Sequence, residues 1–290
     1  VGVAALLCVA YLAICLFAAT MLTAPPRNVD PERTPARFGQ AYRDVQFASR
    51  TPGLELAGWY LENATGDRAL VLVHGHTSSR STEFKGRFVD LVVGLHRRGF
   101  TVLAFDLRGH GQSDPARTGF GALEHADVAG AIDWLRAQGF AAERIGVFGV
   151  SMGGMAAIRA VADEPEIAAL ATDSTPPEVL AVVQREWPNA SGLPDFFLPT
   201  TLLAARLQYG LDLTAAPALT TLPRVAPRPV LLIHGAADSL VPLPEAELLA
   251  AALPNAERWI VPGAAHAEGF LADPTGYTAR VGDFFARHIP

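Results

Sequence analysis

The stretch Gly149-Val150-Ser151-Met152-Gly153-Gly154 limits what this chain can fold into more than any other. It follows an apolar run (Ile145, Val147, Phe148) and precedes a small-residue run, Met155-Ala156-Ala157-Ile158. A G-x-S-x-G turn between a strand and a helix forces its serine into a strained backbone conformation. The positions two before and two after it must be glycine-sized because the neighbouring backbones come close. The pattern predicts that Ser151 stands clear of a sheet, with the first amides of the following helix facing any negative charge beside its hydroxyl. Taken alone, it also fits an ordinary strand-to-helix loop, since Gly and Ser are common turn residues.

The rest of the chain supplies a context for that turn. Val45-Gln46-Phe47 and Leu54 to Tyr60 read as two strands of an antiparallel hairpin joined through Thr51-Pro52-Gly53 at a sheet edge. Ala69 to Val73 is continuously apolar, as a central strand must be when both its faces are covered. Strands and helices then alternate. Phe84, Phe88, Leu91, Val92 and Leu95 mark a helix ended by Gly99, and Thr101 to Phe105 is a buried strand. Leu123, Val128, Ile132 and Leu135 mark a second helix ended by Gly139. Further strands are predicted at Ile167 to Ala171, Val230 to Ile233 and Arg258 to Val261, with helices near Glu245 to Ala252 and Tyr277 to Arg287. This order means an α/β fold with a mostly parallel sheet, helices on both faces and ligands at the carboxyl ends of the strands. Between Thr175 and Arg228 the alternation breaks into Pro-rich, apolar sequence, read as a cap insertion over residues 176–228, with a helix-like run Leu202 to Leu207. Its aromatics, Trp187, Phe196 and Phe197, either line a pocket or pack the insertion onto the body.

Val1 to Leu22 carries no charge and, at about 1.5 Å per residue, is long enough to cross a hydrocarbon core roughly 30 Å thick. Its length favours an uncleaved transmembrane anchor over a signal peptide, whose apolar region runs to about 7–15 residues. Residues 23–40 then read as a Pro- and Arg-rich linker, and 41–290 as the folded domain. Arg27, Arg33 and Arg37 lean toward a cytoplasmic domain but leave its side of the membrane open. A formal charge of −6 without a basic stripe gives no case for nucleic acid as a partner. Arginine greatly outnumbers the single lysine, Lys85, and Ala and Pro abound, a usage associated with GC-rich bacterial genomes. Both cysteines, Cys8 and Cys15, lie in the apolar segment, so the remainder has no disulfide, thiolate metal site or cysteine nucleophile.

A serine hydroxyl needs a base to take its proton, a carboxylate to orient the base and donors for the oxyanion. Of the eight histidines, His266 follows the last strand through Pro262-Gly263-Ala264-Ala265 and is the best base. Asp238, just beyond the strand that ends in Ile233-His234-Gly235, is the carboxylate, with Asp173 as its rival. The chain order Ser151, Asp238, His266 matches the Ser…Asp…His order of one known hydrolase fold. Oxyanion donors are expected to be the backbone N–H of Met152, after the nucleophile, and of His76, in the loop Val73-His74-Gly75-His76-Thr77-Ser78-Ser79. A metal pair from His74 and His76 lacks further ligands at recognisable spacing, and His74 is better read as a loop brace.

With VLVHGHTSS, Asp106-Leu107-Arg108-Gly109-His110-Gly111-Gln112-Ser113, GVSMGG, HGAAD and GAAH, the chain resembles the α/β-hydrolase superfamily from about Val45 to Arg287. It is most similar in flavour to membrane-anchored Bem46-like and monoacylglycerol-lipase-like bacterial serine hydrolases. That resemblance implies a small-molecule carboxyl-ester or related acyl substrate, an acyl-enzyme and no cofactor, with Asp106, Arg108 and His110 bracing loops. The same three residues serve thioester, lipid-ester and peptide cleavage and cofactor-free perhydrolysis. A membrane-tethered interaction module without turnover is the reading of a different class.

Overall fold

The computed structural model describes residues 2–213, 215 and 217–290. Among them, eight strands form one sheet in the order β1-β2-β4-β3-β5-β6-β7-β8. These are β1 (Arg43–Ala48), β2 (Glu55–Leu61), β3 (Ala69–Val73), β4 (Thr101–Phe105), β5 (Ile145–Val150), β6 (Ala169–Asp173), β7 (Val230–Gly235) and β8 (Glu257–Val261). The β1–β2 hairpin and the β2–β4 pair are antiparallel, and all other pairs are parallel. The strand order reverses around β3, which lies between β4 and β5. At such a switch point the loops leave in opposite directions and open a crevice at the carboxyl edge.

The strands are continuously apolar because both faces are covered. Along β3, Ala69, Val71 and Val73 face one core and Leu70 and Leu72 the other. The helices His125–Ala137 and Met152–Asp163 supply Ile132, Leu135, Ile158 and Val161 to the first core. Phe88–Arg97 and Pro274–His288 supply Leu91, Leu95, Tyr277 and Phe285 to the second. The helix expected from Phe84 begins only at Phe88, because Phe84 and Lys85 take left-handed backbone conformations. That kink turns Phe84 into the core, where its ring stacks on Phe270 at 5.2 Å.

The insertion after β6 contains two substantial helices, Val179–Ser191 and Leu198–Tyr209. The first has no counterpart in the reading of this stretch as Pro-rich, apolar sequence, and it contains Pro188. That proline lies in the last turn, ahead of the left-handed Gly192 that ends the helix. The N-terminal apolar segment is one helix, Gly2–Leu22, long and apolar enough to be a candidate membrane span. Its second half packs on the cap helix Leu198–Tyr209, with Tyr11 Oη 2.8 Å from Thr200 Oγ1 and Thr20 Oγ1 2.7 Å from Tyr209 Oη. Phe196 and Phe197 pack against Tyr11 at this contact. The following segment, 23–40, is strapped to the domain: Arg27 donates to the Gly111 and Ser113 carbonyls, and Arg33 to that of Gly86.

The loop after β4 is held by buried charge. Arg108 donates from Nε to Asp127 Oδ2 at 2.9 Å and from Nη2 to Oδ1 at 2.7 Å, with both side chains almost wholly buried. Asp106 accepts the Arg80 guanidinium together with the Arg80 and Gln112 backbone amides. Removing one partner of such a pair leaves a charge in low dielectric with no compensation. Asp127→Ala is therefore expected to cost about 3–5 kcal/mol, read from the urea unfolding midpoint. A loss below 1 kcal/mol would show that the pair does not brace this loop.

Candidate active site

Ser151 sits at the point where β5 becomes the helix Met152–Asp163, with φ 50° and ψ −115°. A non-glycine residue there is strained by order 1–3 kcal/mol and persists only when its surroundings over-determine it. The surroundings do so. A Cβ on Gly149 would stand 2.5 Å from the Gly153 carbonyl oxygen, and one on Gly153 would strike the His74 carbonyl. The Ser151 N–H also donates to the Asp173 carbonyl at 2.8 Å.

The hydroxyl so presented meets residues from two later strand ends. Ser151 Oγ lies 3.0 Å from His266 Nε2, and His266 Nδ1 lies 2.8 Å from Asp238 Oδ2. Asp238 is buried, and its Oδ1 accepts the Leu240 and Val241 amides at 3.0 and 2.8 Å, which fixes the carboxylate plane. The Asp238 carboxylate holds the proton on Nδ1, leaving Nε2 as the acceptor facing serine. Asp173, the rival carboxylate, points elsewhere: its Oδ2 accepts from Tyr277 Oη at 2.7 Å and its Oδ1 from Ser174 Oγ at 2.8 Å. Ser174 Oγ in turn accepts the Ala267 N–H at 3.0 Å, beside His266.

His76 and Met152 line the same pocket as Ser151. Among the described residues, neither of their backbone amides donates to a protein acceptor. Gly75 lets the loop after β3 run against the serine, since a Cβ there would lie 3.3 Å from Ser151 Cβ. The Gly75 N–H is held at 2.6 Å by Glu83, a fully buried carboxyl that also accepts the Phe84 N–H. Burial pushes the Glu83 pKa up, the two amides opposing it. Glu83 escaped the sequence reading, because a carboxylate eight residues beyond a glycine has no recognisable spacing.

His74 uses both ring nitrogens on backbone, Nδ1 with the Gly75 carbonyl at 2.7 Å and Nε2 accepting the Leu107 N–H at 3.0 Å. It ties the loops after β3 and β4 together and has no lone pair free for a metal. Its ring lies 5.2 Å from that of His110, which lies 5.9 Å from that of His76. Burial first, and mutual proximity second, push the pKa values of His74 and His76 down, His76 to about 4. The pocket, about 480 Å³, is completed by Phe120, Met155, Val179, Val183 and Trp187. Trp187 thus lines it, whereas Phe196 and Phe197 do not.

A family model for the alpha/beta hydrolase fold matches residues 68–221. The chain belongs to this family. It is 31% identical over 238 residues to the uncharacterised protein Rv2307c of Mycobacterium tuberculosis, covering 80% of this chain and 75% of that one. It is 28% identical to the uncharacterised protein YfhR of Escherichia coli K12, covering 78% and 74%. Among solved structures it superposes on the Pyrococcus furiosus esterase Pf2001 with a TM-score of 0.74 at 29% identity, covering 92% of this chain and 98% of that one. Its fold is that of the alpha/beta hydrolases, and open sheets of this kind bind ligands in the crevice at the reversal of strand order.

The neutral histidine cluster has a thermodynamic consequence. Between pH 6.5 and about 4 the unfolded chain binds a proton that folded His76 does not. The contribution of His76 is therefore full above pH 6.5 and is lost as pH falls through that window, by at most roughly 1.4 kcal/mol per unit. His76→Phe keeps the backbone amide and removes the titration. Its unfolding free energy is expected to fall less steeply between pH 6 and 4.5 than that of the native protein, and parallel curves would refute the assignment.

Proposed function

We propose that this hydrolase cleaves carboxylic esters through an acyl-enzyme on Ser151. The observation that carries the reading is the hydrogen-bonded chain Ser151 Oγ, His266, Asp238 Oδ2 at the carboxyl edge of the sheet. Ser151 Oγ attacks the ester carbonyl as its proton passes to His266 Nε2, and the imidazolium is stabilised by Asp238. The oxyanion is taken by the N–H groups of Met152 and His76, the first lying at a helix N-terminus whose dipole favours negative charge. Collapse expels the alcohol, which takes the proton from His266. Water then enters by the same route and releases the acid. An ester is favoured as the bond because the pocket is predominantly apolar beyond its polar floor and because the structural relative Pf2001 is an esterase.

The placement of the N-terminal helix supports a retained membrane anchor rather than a segment removed as a signal peptide. Its docked half makes specific hydrogen bonds to the cap. The cap helix beside it exposes Leu203 and Leu207, 54% and 78% accessible, and the N-terminal helix itself exposes Phe17. We take 1–22 as the anchor, 23–40 as the segment joining it to the domain, and 41–290 as the catalytic domain with its cap at 176–228.

Fluorophosphonate labelling of the full chain in detergent tests the nucleophile. Ser151→Ala is expected to abolish labelling, and hydrolysis of p-nitrophenyl butyrate to fall by about 10⁴-fold or more. Asp238→Asn is expected to keep the serine present but to slow labelling by a similar order. Equal labelling of Ser151→Ala and native protein would overturn the proposal.

A further inference from the structure

A second apolar space adjoins the Ser151 pocket. A groove of about 720 Å³ lies between the N-terminal helix and the end of the first cap helix, walled by Ile14, Phe17, Ala18, Met21 and Leu22 on one side and Leu193 on the other. It shares Leu22, His76, Trp187 and Ala190 with the pocket around Ser151. The two spaces therefore adjoin across these four residues, and the second is lined by the helix that is long and apolar enough to be a candidate membrane span. Ile14 to Leu22 covers about 12 Å of helix axis, a length of wall that a short acyl group does not use. Phe17 and Met21, 67% and 56% accessible, form its outer lip and have no protein neighbour that removes them from solvent.

We infer that the N-terminal helix is part of the substrate site: the groove holds the acyl chain of a long-chain lipid ester. The chain lies against Ile14, Phe17, Met21 and Leu22 while its carboxyl carbon reaches Ser151. The inference rests on the ester-hydrolase reading above and adds the substrate class. An apolar chain already in the bilayer moves along the exposed face of the helix into the groove without crossing water, so its methylenes stay out of water throughout. The anchor is then a specificity element as well as a tether. The small residue Ala19 carries this geometry, because it lets the helix seat closely on Ala204 and Ala205 while the larger side chains Ile14, Phe17 and Met21 line the groove.

The test is a series of p-nitrophenyl esters from acetate to palmitate with the full chain in nanodiscs, comparing native protein with Ile14→Trp, which fills the groove beyond the Ser151 pocket. In the native protein kcat/KM is expected to rise about three- to four-fold per methylene until the groove is filled. In Ile14→Trp the ratio of laurate to butyrate kcat/KM is expected to fall at least ten-fold. Fluorophosphonate labelling of Ser151 reports whether the variant is folded, and Phe17→Ala, which opens the lip instead, is expected to shift the optimum to longer chains. Should acetate or butyrate remain the best substrate and both variants leave the profile unaltered, the groove assignment fails while the serine mechanism stands. Should no ester be turned over and Ser151 not be labelled, the underlying reading fails and the groove assignment with it.

Discussion

The structure depends on how closely the turn at Ser151 approaches the end of β3. Gly149 and Gly153 allow the backbones of β5, the following helix and the His74 carbonyl to come together with no side chain between them. That proximity forces Ser151 into its positive-φ conformation and anchors its N–H on the Asp173 carbonyl. The strain, of order 1–3 kcal/mol, is small against the burial of the apolar residues that flank the turn on β5 and the helix. Because β3 and β5 are paired in register, Val73 opposite Gly149, the loop carrying Gly75 and His76 is delivered beside the serine by the same ladder. One close contact thus places the hydroxyl and the loop meant to face it.

A second layer of buried polar groups holds that loop in position. His74 bridges to Leu107, Glu83 holds the Gly75 amide, Asp106 gathers Arg80 and the Gln112 amide, and Asp127 neutralises Arg108. Each group is satisfied largely by backbone amides or by an opposite charge, which is what permits charge and polarity at such depth. The depression of the His74, His76 and His110 pKa values follows from the same burial: three imidazoles packed together stay neutral because the low-dielectric site resists charging any of them. His266 stands outside that cluster, with Nδ1 against the buried Asp238 carboxylate and Nε2 against Ser151 Oγ.

The cap joins the apolar N-terminal helix to the chemistry. Its first helix closes the pocket with Val179, Val183 and Trp187, and its second carries the small-residue seat and the hydroxyl partners that dock the N-terminal helix. The segment after the helix is bonded to the loops following β3 and β4, so helix, cap and site are tied to one another rather than separated by a free tether.

Much of this was legible in the chain itself, for reasons of local chemistry. Strand β3 and strand β4 carry no polar residue except Thr101, and continuous apolarity of that length fits only a strand covered on both faces. The glycines around Ser151 announce the turn because no other residue fits there, and the order Ser151, Asp238, His266 follows from chain direction alone. What the sequence did not carry were the contacts between segments distant along the chain. Asp173 and Asp238 both end strands on the same edge, and only the packing of Tyr277 against Asp173 and of the β8 loop against Asp238 separates them. Glu83 acquires its role from a left-handed kink at Phe84 and Lys85 that no helical periodicity signals. The helix Val179–Ser191 lies in a stretch that reads as Pro-rich, apolar sequence. Local sequence determined which backbone conformations were possible and where the Ser151 hydroxyl stands; tertiary packing decided which carboxylate faces the histidine and brought an apolar N-terminal helix to the mouth of the pocket, because those outcomes are set by long-range burial rather than by neighbours in the chain.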